Sequence, residues 1–261
     1  MSGARRRLDE LKAARRPAGQ TPPSPRRKPD NTLAAVSGGF EKRCADGRYW
    51  RVDRRFDDVC PKHSAAEHEL ARPLRFASTA GSSLTVDPRE TLVVDIETGG
   101  FAGFPVFLIG VVPLDVRPLT VWQFLARDHP EEAVILRELA RLAAKRRTWV
   151  TFNGKSFDEP FLRDRATLHR VRLTPPAVHV DLLHAARRAW RGELPNCRLG
   201  TLEEHILGRR RVGDVPSGDV PALFYHFIET GNAAPLRPVL EHNQIDLVSS
   251  TELLLRLATT E

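Results

Sequence analysis

An α/β fold, with a mixed central sheet flanked by helices, is predicted by three observations. β-branched apolar runs crowd residues 91–125, helical spacing dominates from Glu131 onward, and no internal repeat is present. Thr91–Glu97 (Thr-Leu-Val-Val-Asp-Ile-Glu) reads as a buried strand that ends in polar residues. Thr98, Gly99 and Gly100 then turn the chain. Val106–Val112 and Leu119–Leu125 follow as second and third strands, and their short joins imply an antiparallel meander. Val134, Leu136, Leu139, Leu142 and Ala143 recur at helical spacing within Glu131–Lys145. A short strand is expected at Trp149–Phe152 and a helix from Asp158 to Leu168. Further helices are expected at Leu182–Trp190, Leu202–Leu207, Pro221–Thr230 and Leu236–Leu257, so helices gather after the strands they cover.

This main domain is assigned to residues 89–261. Ahead of it, residues 1–38 mix Arg and Lys runs with Pro17, Pro22, Pro23, Pro25 and Pro29. Such a composition cannot bury enough apolar surface to fold, so a disordered basic arm is expected. Residues 39–88 read as a small hairpin followed by an irregular connector from residue 61. Asp46-Gly47 is a hairpin-turn dipeptide, and Tyr49, Trp50, Val52 and Phe56 are strand formers beside it.

Charge is distributed unevenly. Residues 1–90 hold 19 Lys and Arg against 12 Asp and Glu, whereas the rest of the chain holds 21 of each. A basic arm beside a neutral domain suits a polyanion such as DNA or RNA, and would also suit an acidic membrane surface or serve only solubility. The three cysteines form no disulfide framework, which points to a reducing, cytoplasmic setting. Phe104–Leu114, the longest apolar stretch, is interrupted by Pro105 and Pro113, and Met1–Gln20 has no apolar core, so neither membrane insertion nor secretion is expected.

Chemistry is concentrated in a few positions. Asp95 and Glu97 are two apart on a strand, so their side chains leave one face and could share a cation. Asp158 closes the segment Asn153-Gly-Lys-Ser-Phe-Asp158, at the junction of a strand and a helix. His242 and Asp246 share one face of the last helix. Each has an ordinary structural reading: solvated strand-end acids, a helix cap at Ser156 or Asp158, a local His–Asp hydrogen bond. Acids gathered in one cleft raise each other's pKa, however, and oxygen ligands of this kind suit Mg²⁺ or Mn²⁺ with positions left for water and phosphate. That points to phosphodiester chemistry.

Val94-Asp-Ile-Glu-Thr-Gly-Gly100, Thr151-Phe-Asn-Gly-Lys-Ser-Phe-Asp158 and Leu240-Glu-His-Asn-Gln-Ile-Asp246 resemble, in order and context, the three exonuclease motifs of the DEDD superfamily. His179–Arg188, Cys197–Glu203 and Asp214–Pro216 add a likeness to YprB-type ribonuclease H-like proteins. The resemblance covers roughly residues 92–257 and implies a ribonuclease H-like fold and a 3′–5′ exonuclease using two Mg²⁺ or Mn²⁺ ions. It implies that Asp95, Glu97, Asp158 and Asp246 hold metal, with Asp95 bridging and His242 beside the nucleophilic water. One departure stands out. His242 precedes Asp246 by three intervening residues, the spacing of the tyrosine branch of that superfamily, which weakens its assignment as general base.

Thr98, Phe101, Asn153 and Lys155 are candidate nucleic-acid contacts. Phe101 and Phe104 could stack on terminal bases or simply pack around the strand turn. Asp181 reads as an N-cap, Arg163, Arg165, Arg170 and Arg172 as a phosphate track or a solvated face, and Cys197 as a small buried residue. Cys60-Pro-Lys-His63 lacks a fourth zinc ligand at compatible spacing. A binding module without turnover and a structure-selective endonuclease remain alternative readings of the same motifs.

Overall fold

The computed structural model describes residues 32–60, 66–77 and 83–258. Most of the expected arm, residues 1–31, lies outside them, as does His63. Near the arm's expected end a short helix, α1 (Leu33–Ser37), is capped by Thr32, whose hydroxyl accepts a hydrogen bond from the Ala35 amide.

Seven strands form one sheet: β1 (Phe40–Cys44), β2 (Gly47–Arg55), β5 (Thr91–Thr98), β6 (Val106–Pro113), β7 (Thr120–Leu125), β8 (Thr148–Thr151) and β9 (Val178–Asp181). Their spatial order is β1-β2-β7-β6-β5-β8-β9. The expected meander of β5, β6 and β7 is antiparallel, whereas β8 and β9 run parallel to β5. Strand β5 therefore stands where the sheet changes sense.

The Asp46-Gly47 hairpin forms as expected, but it is not a separate element ahead of the domain. β2 pairs with β7 over Trp50–Arg55 and extends the main sheet. Nor is the connector wholly irregular. It contains α3 (Ala66–Glu69), which follows α2 (Phe56–Val59), and a second two-stranded sheet of β3 (Leu74–Ala77) and β4 (Ser83–Val86). Both differences arise from pairing partners distant in sequence, which local propensity does not encode.

The helices cover the sheet on two faces. Helices α4 (His129–Ala143) and α5 (Asp158–Leu168) place Ile135, Leu136, Leu139 and Leu162 against Leu92, Val94, Ile96, Ile109 and Val111. On the other face, the 22-residue helix α9 (Leu236–Leu257) packs Leu247, Val248, Leu253 and Leu254 with Val93, Val112, Val121 and Val150. The remaining helices are α6 (Leu182–Trp190), α7 (Leu199–His205) and α8 (Val220–Thr230), of which α7 starts three residues earlier than expected. Strand β9 was not expected. Its four residues carry only Val178 and Val180 as apolar signal, and its partner β8 supplies the rest.

The arginines of α5 are committed internally. Arg165 donates to both oxygens of buried Glu132 (2.7 and 2.6 Å) and to the Gly103 carbonyl, while Arg163 pairs with Glu159. Glu132 also accepts from the Val106 amide (2.9 Å), so this cluster ties α4 and α5 to the loop that carries Phe101.

Candidate active site

Strand alternation decides which side the acids face. Leu92, Val94 and Ile96 point to α4 and α5, whereas Val93 packs with the α9 residues. Asp95 and Glu97, in phase with Val93, consequently face α9, from which His242 and Asp246 approach. A register shift between Glu97 and Thr98 bends the end of β5 at this place, as bulges beside functional sites do.

Asp158 arrives from the neighbouring strand. The chain leaves β8 at Thr151 and turns through Asn153, whose φ of 65° lies in the left-handed region that asparagine tolerates. Asp181 holds this turn: one oxygen accepts from the Asn153 amide (2.9 Å) and the other from the Lys155 amide (3.1 Å). It also caps α6 through the Leu183 amide (3.0 Å), as its sequence position suggested. Asp158 is not a cap. Phe157 occupies the N-cap position, and the Asp158 carboxylate instead accepts from the Ile96 amide of β5 at 3.2 Å.

These residues line a cleft of about 410 Å³. Eight of the nine candidate positions border it: Asp95, Glu97, Thr98, Phe101, Asn153, Asp158, His242 and Asp246. Lys155 is exposed and stands outside the lining. Phe101 is 87% exposed and Phe157 is 42% exposed, so the rim presents two aromatic faces to solvent. Phe104 is also exposed but does not border the cleft.

The acids disturb one another. Burial, followed by the charges of Asp246, Asp158 and Glu97, pushes Asp95 well above the usual carboxylate range. Burial and then Asp246, Asp158 and Asp214 do the same to Glu97. Asp158 is pushed up to about 7 by burial, against opposing backbone hydrogen bonds. Asp246 is raised by burial although Arg211 and His242 oppose the shift. Four clustered carboxyl groups whose pKa values are raised by burial and neighbouring charges are the donor set a hard divalent cation would relieve, so the residues fit Mg²⁺ or Mn²⁺ chemically.

Protein donors already engage three of them. Asp95 accepts from Asn243 (2.7 Å), Asp158 from Ile96, and Asp246 pairs with Arg211 (2.5 Å). Among the described residues, no three His, Cys, Asp or Glu side chains are arranged as a ready metal site.

Arg211, Glu203, Asp214 and Asn243 are the members that sequence reasoning missed. The Arg211 guanidinium forks onto buried Glu203 with two 2.6 Å bonds and reaches Asp214 at 3.2 Å as well as Asp246. Asp214 meets His242 Nδ1 at 2.7 Å, and Nε2 stands 3.7 Å from Asp246. An imidazole held in this way has its orientation set by its outer nitrogen. Nothing local in a leucine-rich helix or an arginine run distinguishes Glu203 or Arg211, although both the Glu203 and Asp214 segments carried the family likeness.

One strand position is dictated by this crowding. Gly110 lies opposite Asp95, and a Cβ there would meet Asn243 Oδ1 at 2.2 Å. Gly110→Ala is expected to cost about 1–3 kcal/mol through overpacking, read as a lowered midpoint in denaturant.

Comparison with known proteins agrees with this architecture. A family model described as the RNase_H superfamily matches residues 92–258, from the start of β5 to the end of α9. The chain belongs to the RNase H superfamily. This RNase H-like chain is 38% identical over 169 residues to the uncharacterized protein YprB of Bacillus subtilis (strain 168), an alignment covering 63% of the chain and 41% of YprB. It thus spans less than half the length of that relative. Its fold also resembles part of the family B DNA polymerase of the hyperthermophilic archaeon Pyrobaculum calidifontis, with a TM-score of 0.51 and 16% identity over 71% of this chain and 28% of the polymerase. The fold is therefore ribonuclease H-like and of a nuclease type. No helix among the described residues is long and apolar enough to cross a membrane.

Proposed function

We propose that this protein is a metal-dependent nuclease, a 3′–5′ exonuclease of the DEDD kind acting on single-stranded or frayed DNA or RNA ends. The observation that carries the reading is the convergence of Asp95, Glu97, Asp158 and Asp246, from three separate segments, on one cleft rimmed by exposed phenylalanines. Asp95, Glu97, Asp158 and Asp246 would hold two Mg²⁺ or Mn²⁺ ions, which supply an acidified water and stabilisation of the leaving oxygen when bound. The chain's own contribution is positional. His242, oriented by Asp214, is placed to accept or direct a proton at Nε2, and Phe101 and Phe157 can stack on terminal bases. The basic N-terminal third supports a polyanionic substrate, and a cytoplasmic location belongs to the same proposal.

The deciding experiment incubates purified protein with end-labelled DNA and RNA oligonucleotides and Mn²⁺ or Mg²⁺. Stepwise shortening from the 3′ end is expected; cuts in a circular substrate would favour an endonuclease. The hold of Arg211 on Asp246 favours a second reading, a binding module without turnover. Binding of oligonucleotide without cleavage under any of these metals would establish that reading instead.

Phe101→Ala is expected to weaken binding of a single-stranded oligonucleotide by about 1–3 kcal/mol, the usual worth of one stacked base, with the thermal midpoint unchanged. Equal affinity in a filter-binding titration would remove Phe101 from the substrate path.

Metal affinity should depend on pH. Asp158 is protonated below about 7 in the metal-free protein, and a ligand must lose its proton to bind a cation. Mn²⁺ affinity is therefore expected to rise with pH between about 6 and 8. Calorimetric titrations giving one dissociation constant throughout would contradict the ligand role of Asp158.

A further inference from the structure

We infer that Asn243 is a positioning residue for Asp95, and that Gln123 and Gln244 set the direction in which its amide points. The inference deepens the nuclease proposal and rests on the metal role assigned there to Asp95.

The geometry begins in the sheet. Asp95 of β5, Gly110 of β6 and Gln123 of β7 lie in one row across three strands, because the registers pair Asp95 with Gly110 and Gly110 with Gln123. Side chains in such a row share a face, here the face that receives α9. Gly110 has no side chain, so a gap opens over the middle strand. Asn243 descends from α9 into that gap, where its Oδ1 lies 2.2 Å from the place a Gly110 Cβ would take.

Asn243 thereby reaches both outer members of the row. Its Nδ2 donates to Asp95 Oδ2 at 2.7 Å and lies 3.3 Å from the Asp95 carbonyl oxygen. Its Oδ1 accepts from Gln123 Nε2 at 2.7 Å. Gln123 Nε2 donates also to the Leu240 carbonyl (2.9 Å), and its Oε1 accepts from Gln244 Nε2 at 2.7 Å. All three amides are buried.

An amide can offer either end, and the two ends have opposite consequences for a carboxylate. With its NH₂ toward Asp95, Asn243 holds one carboxylate oxygen in place. With its carbonyl toward Asp95, it would add a third acceptor beside two. The head-to-tail series removes the second possibility. Reversing Asn243 would set its NH₂ against that of Gln123, and reversing Gln123 would set donors or acceptors face to face at both of its ends, leaving buried groups unpaired. Gln123 acts on Asp95 through Asn243, and so decides what Asp95 experiences.

The test compares two substitutions at Gln123 by calorimetric titration with Mn²⁺ alone, alongside thermal midpoints. Gln123→Glu is isosteric but places acceptors toward Asn243, which must turn its NH₂ away from Asp95. Its Mn²⁺ affinity is expected to fall about 10- to 100-fold, the range for partners of metal ligands. Gln123→Leu removes the bond without reversing the amide, so its loss of Mn²⁺ affinity is expected to be smaller even where its midpoint falls as far. A Gln123→Glu affinity within twofold of the parent, or a loss matched by Gln123→Leu, overturns the positioning role. If Gln123→Glu does not fold, Asn243→Ser replaces it, and retention of parental Mn²⁺ affinity there overturns the inference equally. Parental protein that takes up no Mn²⁺ overturns the metal reading itself and this inference with it, whereas parental binding matched by the variants overturns the inference alone.

Discussion

Asp95→Asn is expected to lower metal-dependent cleavage of an end-labelled oligonucleotide by more than about 100-fold, beyond the loss usual for residues that only support a metal ligand. The substitution keeps the shape of the side chain and removes its charge. Burial and three neighbouring acids already push the Asp95 carboxyl well above its usual range, so the metal-free protein has little need of the ionised form. Folding should therefore survive, because the substitution removes only a charge that burial and the neighbouring acids already disfavour. The expected pattern is an unchanged or raised thermal midpoint together with lost turnover and weakened Mn²⁺ binding. Cleavage at the parental rate would show that the reacting groups lie elsewhere.

Arg211→Met is expected to destabilise the protein by about 3–5 kcal/mol, because it leaves Glu203 as an uncompensated buried charge. Glu203 is 1% exposed and receives two bonds from this guanidinium. Burial alone would lower the pKa of Arg211, yet Glu203 and Asp246 raise it overall, so the guanidinium stays charged beside them. The double variant Glu203→Gln with Arg211→Met should lose less than Arg211→Met alone, since no charge is then stranded. Urea denaturation of the three proteins checks both statements. A loss under about 1 kcal/mol for Arg211→Met would mean that Arg211 is not what satisfies Glu203, which also accepts from the Ser249 hydroxyl.

The elements with strong local periodicity were legible in the sequence. The runs at β5, β6 and β7 and the helices α4, α5, α6 and α9 read correctly because each carries its own local signal, a β-branched apolar run in the strands and helical spacing in the helices. Strand β9 and the β3–β4 hairpin did not, since four residues carry too little pattern and their stability comes from a partner. The placement of β1 and β2 at the edge of the main sheet was equally hidden, because the turn dipeptide announces a hairpin and says nothing about what the hairpin joins.

The candidate site divides along the same line. Asp95, Glu97, Asp158, His242 and Asp246 could be named in advance because they stand in short ordered motifs, and the spacing along β5 and along α9 tells which pairs share a face. Lys155 was singled out from the same motif, but it is exposed and does not border the cleft, and its backbone amide serves the Asp181 turn instead. Asp181 was read for one of its two tasks. A cap is a local feature with a local signature, whereas its hold on the Asn153 turn depends on β8 and β9 lying side by side.

What the sequence determined by itself is the α/β class, the order of the main elements and the identity of the acidic residues, since each of these is written in residue type and spacing over at most a few turns. Tertiary structure alone decided who stands behind the acids. Asn243 reaches Asp95 only because Gly110 and Gln123 come into register with it, and Arg211 holds Asp246 only because its loop packs against α9. A hydrogen bond or an ion pair of this kind depends on distances of about 3 Å between groups far apart in the chain, and such distances exist only after the sheet and the helix that covers it have closed on each other.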